Sequence, residues 1–210
     1  MATLSSNSMF GRISGKVGDR VYSSWKGIPY VRAKAVNIHN PKTAAQQDQR
    51  AKFAAIVKFL QPLTVFLRVG FKSKNITMSP FNAAMSYNFK NALTGIFPNY
   101  SIDYSQARVS QGNLPGAINP AASFISPGAI KFTWDDNRKA MADDRVLLVV
   151  YNPAKLQVAT IEGGNMRMEE SQTIALPSTF LGDEVYCYIG FQNQRQTISS
   201  DSQFIGSILV

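Results

Sequence analysis

Over residues 12–36, apolar or aromatic positions alternate with polar and basic ones, and glycines interrupt the pattern at 11, 15, 18 and 27. β-Branched and aromatic residues dominate 21–25 and 29–36, which predicts two strands. Lys26-Gly27 turns between them, because glycine takes a positive φ at little steric cost. A period of two sets Tyr30, Arg32 and Lys34 on one face, with Val31, Ala33 and Val36 roughly opposite. The expected product is a ribbon of two or three strands, which in water must pack on something else.

From residue 40 the spacing becomes helical. Asn40-Pro41 supplies a cap and a first-turn proline, while Thr43 with Gln46 would start the helix three residues later. Phe53, Ile56, Val57 and Leu60 form its apolar stripe, and Pro62 ends or kinks it near Phe59. Residues 63–71 suit either a second helical piece or a strand. Ser79-Pro80 repeats the cap, Phe81, Met85, Phe89 and Leu93 recur every four residues, and Gly95 reads as the stop. Residues 99–119, rich in Ser, Asn, Gln, Gly and Pro, mark a boundary. Short apolar runs follow at 129–134, 145–152, 157–161, 172–176, 184–191 and 204–210, predicting an antiparallel β-sandwich of about 90 residues. In the fifth run Val185, Cys187, Ile189 and Phe191 are expected inward, with Tyr186 and Tyr188 outward. The fold class is therefore α+β: a basic N-terminal β-ribbon with two helices over 1–108, then a C-terminal antiparallel β-sandwich over 109–210.

Charge separates these halves. Residues 1–110 carry 15 Lys+Arg against Asp19, Asp48 and Asp103, whereas residues 111–210 carry seven against ten acids. The balances, +12 and −3, make up the formal +9. A basic half of this kind suits nucleic acid, an acidic face of another subunit, or the acidic half of the next copy. The candidate contact residues are Arg12, Lys16, Arg20, Trp25, Lys26, Tyr30, Arg32 and Lys34, with Tyr22 among them. Such cations attract phosphate through counterion release, and aromatic rings stack on unpaired bases. No helix-turn-helix, zinc-finger or ribonucleoprotein motif accompanies them.

Catalytic chemistry is sparse. His39 and Cys187 are the single His and the single Cys, too few for an intramolecular disulfide or a Cys/His zinc cage. Cys187 reads as a small core side chain and His39 as a loop residue. Asp135-Asp136, Asp143-Asp144 and Glu169-Glu170 fall in expected turns; the first two pairs offer oxygens to calcium but lack EF-hand spacing. Gly11 to Gly18 lacks the Gly-Lys-Ser/Thr ending of a phosphate loop. No catalytic residue, metal or cofactor is expected, and the chain reads as a non-enzyme. The apolar runs fall short of the ~20 residues of a membrane helix, and residues 1–10 lack a secretory pattern. A virion or cytoplasmic location without membrane insertion is expected.

Gly15-Lys16-Val17-Gly18 through Trp25-Lys26-Gly27, Asn40-Pro41-Lys42-Thr43, Gln49-Arg50-Ala51-Lys52-Phe53, Val109-Ser110-Gln111-Gly112-Asn113-Leu114 and Phe132-Thr133-Trp134 form a spaced set. With these the chain resembles a Bacteroidota family catalogued as a domain of unknown function. Its ending, Ser202-Gln203-Phe204-Ile205-Gly206, departs conservatively from the Ser-Val-Tyr-Leu-Gly-like pattern expected of that family. The resemblance implies a fibronectin-III- or immunoglobulin-like C-terminal half and carries no catalytic residues. The Asn-Pro-x-Thr and Gln-Arg pattern is also similar to small phage-encoded proteins. Together these readings predict a non-enzymatic structural protein, phage or phage-derived, that works as a homo-oligomer or with other structural subunits. Nucleic-acid binding by the ribbon is the alternative.

Overall fold

The computed structural model describes residues 3–5, 12–25, 27–36, 40–72, 78–125 and 128–210. They form a mixed α/β protein with three α-helices and antiparallel sheets, richest in strands. Two compact units result, residues 1–43 and residues 44–210.

The first unit is a four-stranded antiparallel sheet in simple order: β1 (Thr3–Ser5), β2 (Arg12–Val17), β3 (Arg20–Trp25) and β4 (Ile28–Ala33). Gly18 and Gly27 take positive φ at the two tight turns, where side-chain-bearing residues are strained.

The second unit is layered. Its central sheet, in the order β10-β9-β12-β13, joins β9 (Arg145–Asn152), β10 (Gln157–Met166), β12 (Glu184–Gln192) and β13 (Gln203–Leu209). A second sheet, β11-β8-β7, joins β7 (Ile118–Ile125), β8 (Ala129–Asp135) and β11 (Ser171–Ala175). Ile130, Phe132 and Trp134 of β8 share one core with Val146, Leu148 and Val150 of β9 and with Val185, Cys187, Ile189 and Phe191 of β12. On the other face of the central sheet, Leu147, Val149, Tyr151 and Tyr188 share a core with α1 (Ala44–Leu60), α2 (Thr64–Gly70) and α3 (Pro80–Asn91). Covered on both faces, β9 and β12 cannot alternate apolar with polar, which is why Val146 to Tyr151 is an unbroken apolar run.

Several expectations change. The chain divides into its compact units at 43/44, and the helices and the central sheet bury their apolar faces in one common core. Tyr188, expected outward, is fully buried under the helices, and its hydroxyl donates to the Tyr104 carbonyl at 2.8 Å. The first helix begins at Ala44, directly after Thr43, so the later of the two starts is used. Beyond Pro62 the chain stays helical in α2 after a bend of 83°. Ser79 caps α3 as expected, its Oγ accepting from the Asn82 N–H at 3.2 Å. Gly95 does not stop that helix, which ends at Asn91. It sits instead in a hairpin of β5 (Leu93–Ile96) and β6 (Asn99–Ile102), at φ +94° and against the Asn99 carbonyl. The stretch expected to be a pure boundary thus contains strand β6. No single helix among the described residues is long and apolar enough to cross a membrane.

Candidate functional site

The register of the ribbon sorts the sequence candidates. Lys34 N–H donates to the Asp19 carbonyl at 2.6 Å. Val21 opposite Arg32, Ser23 opposite Tyr30 and Trp25 opposite Ile28 share that parity, so these are the bonded pairs of the β3–β4 ladder. Pro29 falls between them, opposite Ser24, where its missing N–H removes no ladder bond. It also deprives the free edge of β4 of one donor, which blunts that edge.

Opposed residues share a face, so one face carries Lys16, Val21, Ser23, Trp25, Ile28, Tyr30 and Arg32. Lys16, Val21 and Arg32 form one row across three strands, placing the two cations about 10 Å apart in backbone spacing. Tyr30 stands in the next row on that face and Trp25 in the row beyond it, with Trp25 53% exposed. The opposite face carries Val17, Arg20, Tyr22, Val31 and Ala33. The fold therefore brings together Lys16, Trp25, Tyr30 and Arg32, and sends Arg20 to the other side beside Asp19. Lys34 is exposed just past β4. Arg12 pairs through its backbone with Ser5, and Lys26 and His39 lie outside the described residues.

Residues 1–43 contain seven Lys+Arg against Asp19 alone, a balance of +6, leaving +3 for residues 44–210. Lys16 and Arg32 have no acidic partner among the described residues. The ribbon is thus the most positive part of the molecule and exposes aromatic surface beside its charge.

The remaining candidates have structural roles. Cys187 is buried, and burial pushes its thiol up to about 12, so it is a poor nucleophile. Asp144, one of the suggested calcium ligands, is buried against Arg167 at 3.4 Å. Among the described residues no group of three or more His, Cys, Asp or Glu is placed to hold a metal. A shallow apolar groove of about 350 Å³ runs between Phe53 of α1 and Phe81, Met85 and Phe89 of α3.

Sequence reasoning missed one region. The backbone links Trp134 N to Glu170 O at 3.0 Å, Met168 N to Ala142 O at 3.2 Å and Arg167 N to Asp144 O at 2.7 Å. Three separate segments therefore converge at one end of the two sheets. They bring Asp135, Asp136, Asp143, Glu169 and Glu170 to the surface together around Met141 and Met168. Each acid pair sits in its own turn of the sequence, but their convergence depends on backbone bonds between residues 23 to 36 positions apart.

The architecture defines a mixed α/β protein that carries a separate, basic strand unit at its N-terminal side. The chain belongs to the family of unknown function DUF6266, whose model matches residues 12–206 and so takes in most of the ribbon, the helices and both large sheets. No curated protein matches the chain.

Proposed function

We propose that the chain is a non-enzymatic structural protein that builds a multi-copy assembly, of the phage-virion kind, through contacts of its N-terminal ribbon. One observation carries the reading: among the described residues 13–43 no side chain is buried. Strands are held together chiefly by apolar burial, and a sheet without a single buried side chain lacks it. Trp25, Ile28 and Tyr30 are large groups left in water on one face, and a companion surface removes that cost. The two sheets around Trp134 we read as a β-sandwich of the immunoglobulin or fibronectin-III kind, a rigid block suited to repeating contacts.

Sedimentation velocity over a concentration series tests this. The mass should rise above the 23.1 kDa of one chain, and replacing Trp25 and Tyr30 together by Ala should weaken association by about tenfold or more. A single 23.1 kDa species at every concentration contradicts the reading.

A second reading, nucleic-acid binding, is favoured by the row of Lys16 and Arg32 beside two exposed rings. It predicts salt-dependent retention of single-stranded DNA or RNA, lost on replacing Arg32 and Lys34 by Glu.

A further inference from the structure

We infer that the ribbon of one copy docks on the acidic, methionine-bearing end of the two-sheet core of the next copy. The inference rests on the assembly reading and names the surface that receives the ribbon.

The receiving surface is built from the three converging segments. Asp135, Asp136, Asp143, Glu169 and Glu170 are exposed there against two exposed cations, Arg138 and Lys139. Asp135 Oδ2 accepts from Asn119 Nδ2 at 2.7 Å, and Glu169 Oε1 accepts from the Met166 N–H at 2.8 Å, which fixes two of the carboxylates. Asp136, Asp143 and Glu170 have no ion pair and no side-chain hydrogen bond among the described residues. Elsewhere Asp48 pairs with Lys52, Asp183 with Lys155 and Asp201 with Arg108, while Glu162 and Glu184 stand exposed and apart from one another without an ion pair among the described residues. The open negative charge of the second unit is thus concentrated where these segments meet.

Apolar surface lies at the same place. Met141 is 71% exposed and Met168 61%, and the bond from Met168 N to Ala142 O sets the two segments side by side. Unbranched thioether side chains mould to irregular surfaces and make favourable contacts with aromatic rings. The basic face of the ribbon offers the complement: Trp25, Ile28 and Tyr30 towards the turn, with Lys16 and Arg32 in the row beyond Tyr30. Cation meets carboxylate and ring meets methionine in one docking. A positively charged ribbon and a negatively charged end within the same chain make a heterologous, head-to-tail contact, which closes into a ring or extends as a filament. The same carboxylates exclude nucleic acid as the occupant of the receiving end.

Charge exchange on the full chain tests the pairing. One variant carries Lys16→Glu with Arg32→Glu and another carries Asp143→Lys with Glu170→Lys, each checked for an unchanged melting curve. Sedimentation velocity at low salt should show each variant alone associating about tenfold or more weakly than the parent. Mixing the two should restore association, because each reversed surface finds its complement on the other chain. Zero-length carbodiimide cross-linking of the parent protein, which needs no variant to fold, should join Lys16 to Asp143 or Glu170 between chains. If the ribbon variant fails to associate while the end variant associates normally, the ribbon docks elsewhere: this inference falls and the assembly reading stands. If cross-linked dimers contain no link between ribbon and acidic end, the inference also falls. If the parent stays at 23.1 kDa at every concentration, both fall.

Discussion

The guanidinium of Arg167 stacks on the ring of Phe191, its central carbon 3.6 Å from the ring centroid, and both side chains are buried. The same group reaches the Gly116 carbonyl at 2.9 Å through Nη1 and the Pro115 carbonyl at 2.8 Å through Nη2, with Asp144 Oδ2 at 3.4 Å. Its own carbonyl accepts from Trp134 Nε1 at 2.7 Å. One residue therefore ties β8, β12, the 115–116 loop and the segment leading into β9, and it holds up the backbone that presents Met168 and Glu169. Replacing Arg167 by Met should cost about 3–5 kcal/mol in urea unfolding, because Asp144 is left as a buried, uncompensated acid. Arg167→Lys should also destabilise, since a single ammonium cannot fork to two carbonyls and stack on a ring. An unfolding midpoint within error of the parent for either variant would refute the clamp.

Acid stability should depend on two half-buried carboxylates. Hydrogen bonds from Lys52 and then Tyr100 hold Asp48 below the usual carboxylate range, and those from Lys155 and then Asn152 do the same for Asp183. A depressed folded-state value contributes stability that is complete above about pH 4 and is lost as the pH falls through the lowered value. Asp144 runs the other way. Burial raises it in spite of Arg167, so its contribution is complete below the ordinary range and declines as the pH rises through the raised value. Melting temperatures taken across the acid range should fall less steeply towards low pH in the Asp48→Asn, Asp183→Asn double variant than in the parent. Identical acid limbs would contradict this assignment.

Cys187 packs in the core between the two sheets, and burial drives its thiol towards the neutral form. Alkylation at neutral pH should be negligible in the native protein and rapid in denaturant, because the thiolate is the reacting species and has no access when folded. Labelling followed by intact mass measures both states. Stoichiometric labelling of the native chain would show that the site opens.

Gly112 is held by proximity. A Cβ at this position would stand 2.0 Å from the Ser199 carbonyl oxygen, and one at Gly70 would stand 2.5 Å from that of Val109. The segment from 109 to 112 is threaded between α2 and residues 199–202, with Gln111 N donating to Gly70 O at 2.9 Å and Gly112 N to Asp201 Oδ1 at 3.1 Å. Gly112→Ala should therefore destabilise by about 1–3 kcal/mol, through displacement of backbone rather than of a flexible side chain. Thermal unfolding of that variant beside an exposed control, Ala142→Gly, reads the difference.

What the chain disclosed in advance follows from how local each signal is. Ser79-Pro80 and the i, i+4 row from Phe81 to Phe89 identify α3 because a cap and a stripe need only their own neighbours. The run Val146 to Tyr151 identifies β9 for the same reason, yet it does not say that helices cover its second face. Alternation along β12 points Tyr188 outward because it presumes one wet face, whereas the residue is buried. Thr43 and Asn40 offer equivalent caps three residues apart, and no local rule chooses between them. On the ribbon, Lys16 reached its row with Arg32 only through the β2–β3 register, which a period of two along one strand does not specify. Locally the acidic end is three unrelated turns, since its unity comes from bonds such as Trp134 N to Glu170 O. Nor does any local pattern reveal that Asp144 differs from Asp143 in being buried against Arg167.

The central claim, that copies of the chain cover the basic face of the ribbon, is tested most directly by quenching tryptophan fluorescence with acrylamide across a range of protein concentrations. Trp134 is 2% exposed and stays shielded throughout, whereas Trp25 is half exposed and reports on the ribbon. The quenchable fraction should fall as concentration rises at low salt and recover when salt is added. A fraction that stays constant from dilute to concentrated solution would contradict the account.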